Sequence, residues 1–452
     1  MRCPDERSEL MTNSTVRDDP NSHRGQKVDA LVAPYVERPE NVGLAVGIIT
    51  RAGQHVFCYG VRDRESTAPI DEHTLFEIGS ITKVMTANLL AEIERQGMVS
   101  SSDPCTKYLP VEANSSKLQA VTLRHLATHT SGLPRLPHNL EDTIQDETNP
   151  YAHYGERDLL ACLKQVRLRS LGRPRYSNLG MGLLGYLLGR AAGTGYGQAL
   201  RRFILEPLGL HDTAVELSDE QRSRMAQPHD TSGQPTPPWD APVLAGAGAV
   251  RSSITNLLAF MKANLNAAKA NGGTGVVASV RACQQPQMVR KEESFFVAYI
   301  ASVALPALSL LVQWAVPIRP GRLAFAVVSL APIIIAAGLG RMAHWFVATA
   351  LVLAGTYWLW GDSFGWFRGL VLAVIVAGLA HTWRWSPMSR PPRLGWQAMK
   401  SGGHDVLWHN GGTGGSASFC AIDPERQTSV VVLSNSAQSV DDLAIEILSA
   451  ID

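Results

Sequence analysis

The apolar residues of this chain follow three different patterns. "NVGLAVGIIT" (41–50) and "QHVFCYG" (54–60) are runs rich in β-branched and aromatic residues, joined at Arg51-Ala52-Gly53, and they predict a hairpin. From Thr82 to Gln96 the residues Val84, Met85, Leu89, Leu90 and Ile93 recur at helical spacing, with Gly97 as the stop. Between 103 and 240 helical stretches are broken by turn-rich segments, among them "HNLEDTIQDETNP" and the proline-rich "PHDTSGQPTPPWD". Near the other end "SASFCAI" and "TSVVVLSN" predict two strands around Asp423-Pro424-Glu425-Arg426, followed by a helix from about Val440. Strands at both ends of the chain imply an α+β fold: an antiparallel sheet closed by the two termini and flanked by helices, with a helical subdomain. Residues 1–25 are polar and predict a disordered tail.

The third pattern separates the two strand-bearing parts, 26–290 and 394–452. Four apolar stretches, Phe295 to Ile318, Leu323 to Gly340, Met342 to Gly361 and Trp366 to Trp383, each approach the ~20 residues that cross a bilayer core as a helix. They predict an inserted transmembrane bundle over 294–384, with the lipid bilayer as a partner. Trp345, Trp358, Trp360, Trp366, Trp383 and Trp385 lie near the stretch ends, where indole suits the headgroup region. Gly369, Ala373 and Ala377 give the last stretch a small-residue face for close helix packing. Four crossings return the chain to the side it left, so the flanking parts can meet. Arg290, Lys291, Arg341, Arg384, Arg390 and Arg393 on that side outnumber Arg319, Arg322 and Arg368 opposite, which favours a cytosolic face. The expected location is a multi-pass protein of a bacterial inner membrane.

Charge narrows the partners: 41 Lys+Arg against 40 Asp+Glu leave no basic excess for nucleic acid. The six cysteines are scattered, with no CxxC pair and no histidine at ligand spacing, so neither a disulfide framework nor a metal site is expected. The first 25 residues lack the apolar core of a cleavable export signal.

Three short segments carry candidate chemistry. In "FEIGSITKVMTA" (76–87) Ser80 and Lys83 are three apart at the start of the predicted helix, on one face. A serine hydroxyl becomes a useful nucleophile when a neighbouring base takes its proton, and a helix N-terminus favours negative charge developing beside it. "GRPRYSNLGMGLLG" (172–185) places Tyr176 and Asn178 two apart, so that an extended segment would turn both toward one cleft. Tyr176 would act as a base only with nearby cations to lower its pKa, and Lys83 is a candidate; a buried tyrosine beside a turn asparagine fits the motif equally. In "LWHNGGTGGSASF" (407–419) the glycines after His409 allow close backbone approach, and a strand edge at Gly411 and Gly412 would offer N–H groups to an oxyanion. A glycine-rich loop with a structural histidine is the alternative.

Taken in order, Ser80-Ile81-Thr82-Lys83, Tyr176-Ser177-Asn178 and His409-Asn410-Gly411 resemble the serine β-lactamase and penicillin-binding protein superfamily of the class C type. "LRHLATHTSGLP", "EPLGLHDT", "AGAGAVRSS" and "IDPERQTSVVVLSN" agree, and the resemblance covers about 30–290 and 394–452. It implies a β-lactamase/transpeptidase-like fold and an acyl-enzyme on Ser80, with Lys83 and Tyr176 as proton-transfer partners. Asn178 would contact a substrate amide, His409 and Gly411 would form the third box, and the N–H groups of Ser80 and Gly412 the oxyanion hole. No cofactor is implied, and the substrate is a small molecule or peptide: a D-alanyl peptide, a β-lactam or a carboxylic ester. His125 and His129 are assigned to a structural loop outside the site. The third box departs from the lysine-threonine-glycine of class C β-lactamases and is similar to that of D-alanyl-D-alanine carboxypeptidases, D-aminopeptidases and some esterases. Neutral imidazole holds a carboxylate more weakly than a fixed ammonium, so acylation by a β-lactam is expected rather than its turnover. The competing reading is a non-catalytic membrane receptor using the same cleft for peptidoglycan fragments or a protein partner.

Overall fold

The apolar runs at the two ends of the chain become neighbours at the centre of one sheet. A computed structural model describes residues 16–17, 23–111, 115–269, 274–287, 392–401 and 403–451, all within one compact unit built from 1–289 and 391–452. In chain order its elements are β1 (Val16–Arg17), α1 (His23–Val36), β2 (Gly43–Thr50), β3 (Gly53–Gly60), β4 (Leu75–Glu77) and α2 (Thr82–Arg95). There follow α3 (Leu123–Ala127), α4 (Glu156–Gln165), α5 (Asn178–Ala191), α6 (Tyr196–Leu200), α7 (Asp219–Ser223), β5 (Arg251–Ser253), α8 (Ile254–Lys269) and α9 (Gly275–Gln284). The last part supplies β6 (Gln397–Ser401), β7 (His404–Gly412), β8 (Ala417–Asp423), β9 (Thr428–Ser434) and α10 (Asp441–Ala450).

The sheet order is β1-β3-β2-β9-β8-β7-β6, antiparallel except for the β1–β3 pair. Leu44 lies opposite Ser434 and Ile49 opposite Ser429, so the two chain ends close the sheet as the strand pattern predicts. The predicted hairpin forms with a two-residue loop, Arg51–Ala52, because Gly53 already pairs with Thr50 as the first residue of β3. Order starts earlier than the polar composition of 1–25 suggests. Val16 and Arg17 add a short parallel strand against His55 and Val56, and α1 begins at His23.

Strand periodicity divides the core into two layers. Leu44, Val46 and Ile48 point to one face with Val430 and Val432, against Val28 and Val32 of α1 and Ala444 and Ile447 of α10. Ala45 and Ile49 point to the other face with Val431 and Leu433, where Leu257 and Leu258 of α8 cover them. Both faces are covered, so β2 reads as a nearly unbroken apolar run, and each buried aliphatic side chain contributes roughly 1.5–3 kcal/mol. At Gly47 an added methyl carbon would stand 2.8 Å from Leu258 Cγ, so the glycine lets α8 approach.

The helical half, with its short helices and long connections, packs around α2, whose residues from Thr82 to Ile93 are all buried. The α2 pattern predicts one apolar face; the helix is covered on all sides because its polar residues find internal partners. Thr86 Oγ1 donates to the Gly246 carbonyl at 2.8 Å, Asn88 to the Val84 carbonyl at 2.7 Å, and Glu92 accepts from Ser279 of α9 at 2.6 Å.

The four apolar stretches between Phe295 and Trp383 lie outside the described residues, and with them the predicted bundle and its bilayer contact. Among the described residues no helix is long and apolar enough to cross a membrane. The flanks of the segment are well placed: the Gln287 N–H donates to the Pro392 carbonyl at 2.8 Å, and Arg393 Nε donates to the Gln284 carbonyl at 2.8 Å. The chain therefore leaves and re-enters the domain at one point, where an insertion costs the fold little. Replacing residues 288–391 with a short Gly/Ser linker is expected to leave a domain that unfolds cooperatively in calorimetry. A non-cooperative or absent transition would show that the inserted residues are part of the fold.

Candidate active site

β4 ends at Glu77, and the chain turns through a single 3₁₀ turn, Gly79–Ile81, into α2. Gly79 takes φ +47°, and a methyl added there would come within 2.6 Å of the Gly412 nitrogen; this position needs glycine on both counts. The turn sets Ser80 at the mouth of α2 with Lys83 one turn further, fully buried. Lys83 Nζ lies 2.6 Å from Ser80 Oγ and donates to the Ala247 carbonyl at 2.5 Å, and Tyr176 Oη donates to Ser80 Oγ at 2.8 Å. The structure thus brings the first two sequence motifs together on one hydroxyl.

Burial sets the charge of this cluster. It holds the Lys83 amine well below the ordinary lysine value, and the nearby Arg135 charge lowers it further. A neutral amine has a lone pair for the Ser80 proton. Burial also raises the Tyr176 phenol, against the lowering effects of the Ser80 hydrogen bond and Arg135. The cation that acts on Tyr176 is therefore Arg135 rather than Lys83, and the phenol keeps its proton.

The third motif arrives from β7. Its outer edge pairs with β6 only as far as Trp408, opposite Gln397, so residues 409–412 run beyond that partner. The edge predicted at Gly411 and Gly412 is this overhang, and it faces the Ser80 turn. A methyl on Gly411 would fall 2.1 Å from the Ile78 carbonyl oxygen and 2.9 Å from the Ser80 nitrogen, and Ser418 Oγ pins the same Ile78 carbonyl at 2.9 Å. Two backbone N–H groups beside a hydroxyl can stabilise an oxyanion.

His409 is 1 % exposed, and its ring centre stands 6.4 Å from that of Tyr176. Its Nδ1 lies 2.6 Å from the Asn410 carbonyl, which can only accept; Nδ1 therefore carries the proton and Nε2 presents a lone pair. Burial, followed by Lys83, lowers its pKa to about 3. Asn178 is the first residue of α5, with Ser177 as the cap accepting from the Gly180 N–H at 2.8 Å, so Tyr176 and Asn178 do not share an extended segment. Asn178 stands instead at a helix start, its backbone N–H held by the Arg135 carbonyl at 2.9 Å.

Several neighbours escaped the sequence reading. His129, assigned to a structural loop, stacks on Tyr176 with ring centres 4.5 Å apart, in the left-handed region at φ +56°. It holds the backbone on both sides of that tyrosine: its carbonyl accepts from the Arg175 N–H at 2.7 Å and its Nδ1 from the Ser177 N–H at 3.1 Å. Nδ1 accepts, so the proton sits on Nε2. Arg135 lies 5.5 Å over the Tyr176 ring, and its carbonyl accepts from the Asn178 and Leu179 N–H groups at 2.9 and 3.1 Å. Buried Glu77 accepts from Thr413 Oγ1 at 2.8 Å and from the Trp239 N–H at 2.7 Å, tying the turn after β7 to the proline-rich loop. The segment "HTSGLP" (129–134) marks a loop, and only contacts across the fold reveal what that loop holds.

Three buried polar atoms on the motif residues and the His129 loop have no hydrogen-bond partner among the described residues: His129 Nε2, His409 Nε2 and Asn178 Oδ1. The cleft therefore offers one free donor and two free acceptors. Because the unfolded chain protonates His409 near pH 6.5 while the folded chain resists to about 3, stability should fall on acidification through that window. The contribution of His409 is about 1.4 kcal/mol per pH unit at most. Thermal melting from pH 7 to 4 should therefore fall less steeply for His409→Gln than for the parent protein; equal slopes would refute a buried neutral imidazole.

A family model described as Beta-lactamase matches residues 28–293 and 371–450. The chain is 30% identical over 244 residues to a β-lactamase of Pseudomonas fluorescens, covering 54% of this chain and 65% of that protein. It is 29% identical over 246 residues to a β-lactamase of Providencia stuartii, covering 54% and 61%. The matches thus span less than two thirds of the length of these curated relatives. A solved class C β-lactamase superposes with a TM-score of 0.63 at 18% identity, covering 97% of this chain and 99% of that one, and so shares the fold. Fold, ordered motifs and the matched family model together place this chain in the β-lactamase family.

Proposed function

We propose that the chain is a serine hydrolase that works through an acyl-enzyme on amide or ester substrates. The carrying observation is Ser80 Oγ set 2.6 Å from a buried, uncharged Lys83 amine and 2.8 Å from a protonated Tyr176. In this mechanism Lys83 Nζ takes the hydroxyl proton as Ser80 Oγ attacks the substrate carbonyl, and the N–H groups of Ser80 and Gly412 receive the oxyanion. Tyr176 Oη gives its proton to the leaving group, and the Lys83 ammonium returns one to the phenolate. Water then cleaves the ester bond to Ser80 by the reverse sequence. Asn178 Oδ1 accepts from a substrate amide N–H, and His409 with Gly411 lines the opposite wall. D-alanyl peptides, β-lactams and carboxylic esters fit this chemistry, and the names of the matched relatives support the β-lactam among them.

The same reading extends to the membrane. Four apolar stretches of bilayer length lie between Gln287 and Pro392, and the hydrogen bond between those residues favours an even number of crossings. The protein is then multi-pass, with its catalytic domain on a single face of the bilayer.

Ser80→Ala should lose labelling by both a fluorescent penicillin and a fluorophosphonate, and ester hydrolysis should drop by roughly 10⁴-fold or more. Persistent labelling would remove the assignment and favour a binding protein. The kcat/KM profile should rise with pH through the lowered Lys83 pKa, because the ammonium form cannot accept a proton, and should be level well below pH 10.5. A limb that appears only near the ordinary lysine value would exclude Lys83 as the base. Sodium carbonate washing should leave the full chain in the membrane pellet and release the variant lacking 288–391; release of both would refute the spanning segments.

A further inference from the structure

The charge inventory of the cleft is lopsided. Lys83, His129 and His409 all have basic side chains, and burial keeps each of them neutral. Tyr176 stays protonated. One permanent charge remains within electrostatic reach of Lys83 and Tyr176, the Arg135 guanidinium. Among the described residues no carboxylate pairs with it, and the residue is exposed. Its backbone is fixed all the same: the two hydrogen bonds from Asn178 and Leu179 anchor the Arg135 carbonyl to the start of α5. The guanidinium lies 5.5 Å from the centre of the Tyr176 ring and interacts with Tyr151 as well.

Asn178, whose backbone N–H the Arg135 carbonyl holds, carries in its Oδ1 a buried acceptor without a partner among the described residues. An acceptor of that kind calls for an N–H and repels an anion; Arg135 calls for an anion and can hold a carboxylate through two parallel N–H groups. The two groups share one anchor point, so the ligand chemistry they fit is a neutral acyl amide or ester with a carboxylate a few atoms along its chain. We propose that Arg135 forms an anion subsite on the helical wall of the cleft and selects substrates with a carboxylate on the acyl half, the half that lies along Asn178. This inference rests on the serine hydrolase reading.

The test compares two esters with the same leaving group: p-nitrophenyl hemiglutarate, whose acyl chain ends in a carboxylate, and p-nitrophenyl methyl glutarate, in which that end is a neutral methyl ester. A charge-assisted hydrogen bond corresponds to a preference of roughly 10–100-fold in kcat/KM for the acid. Arg135→Gln should abolish that preference, read as the ratio of kcat/KM for the two esters within one variant, and Arg135→Lys should keep part of it. Added salt should narrow the parent protein's preference. Because Arg135 is exposed, melting temperatures should be equal across the series. Turnover of both esters with no preference, or a preference that survives in Arg135→Gln, would overturn the subsite and leave the hydrolase intact. Failure to turn over either ester, with no fluorophosphonate labelling of Ser80, would overturn the hydrolase reading itself.

Discussion

A lysine amine with no exposure to solvent, set against a serine hydroxyl, is the constraint around which the rest of the structure is arranged. An ammonium at that depth would need a carboxylate partner. Among the described residues none stands there; Lys83 meets the Ala247 carbonyl, the Ser80 hydroxyl and the Tyr176 ring. The amine is therefore held neutral by the packing of α2 against α5, α6 and α9, and its free lone pair is a consequence of that apolar surrounding. This explains why α2 is buried on every side, and why a helix that looks amphipathic in sequence carries Thr86, Asn88 and Glu92 inward with internal partners. Core and chemistry are one problem here.

The fold was largely legible from periodicity. β-branched runs at both ends named the strands that pair as β2 and β9, and the helix stop at Gly97 fell one residue past the observed cap at Gln96. What periodicity could not show is two-sided burial, since Thr86 and Asn88 read as solvent-facing until α5, α6 and α9 are placed against them. The turn at Ser80 was legible because glycine and serine precede an apolar helix. The reach of β7 past β6 was not, because it depends on where a neighbouring strand ends.

The site was legible in its residues and less so in its electrostatics. Ser80, Lys83 and Tyr176 meet as their motifs suggest, yet the expected order of influence is reversed: the lysine is too deeply buried to act as a cation on the phenol, and Arg135 takes that part. The motif around His129 reads as a loop. It is one, and the loop clamps both peptide N–H groups that flank Tyr176. A residue whose task is to hold a neighbour leaves no signature of its own, only a strained backbone at φ +56° that coordinates reveal.

The junction at Gln287 and Pro392 also bears on how the molecule is made. Ribosomes extend chains at roughly 5–20 residues per second, so the segment between these two residues imposes a pause of about 5–20 s before β6 to β9 emerge. Until then β2 has one open edge where β9 will sit, and the Ser80 turn has no β7 to shield it. The nascent first part must wait, incomplete, with an apolar strand unpaired, and chaperone demand during synthesis is built into the order of the chain.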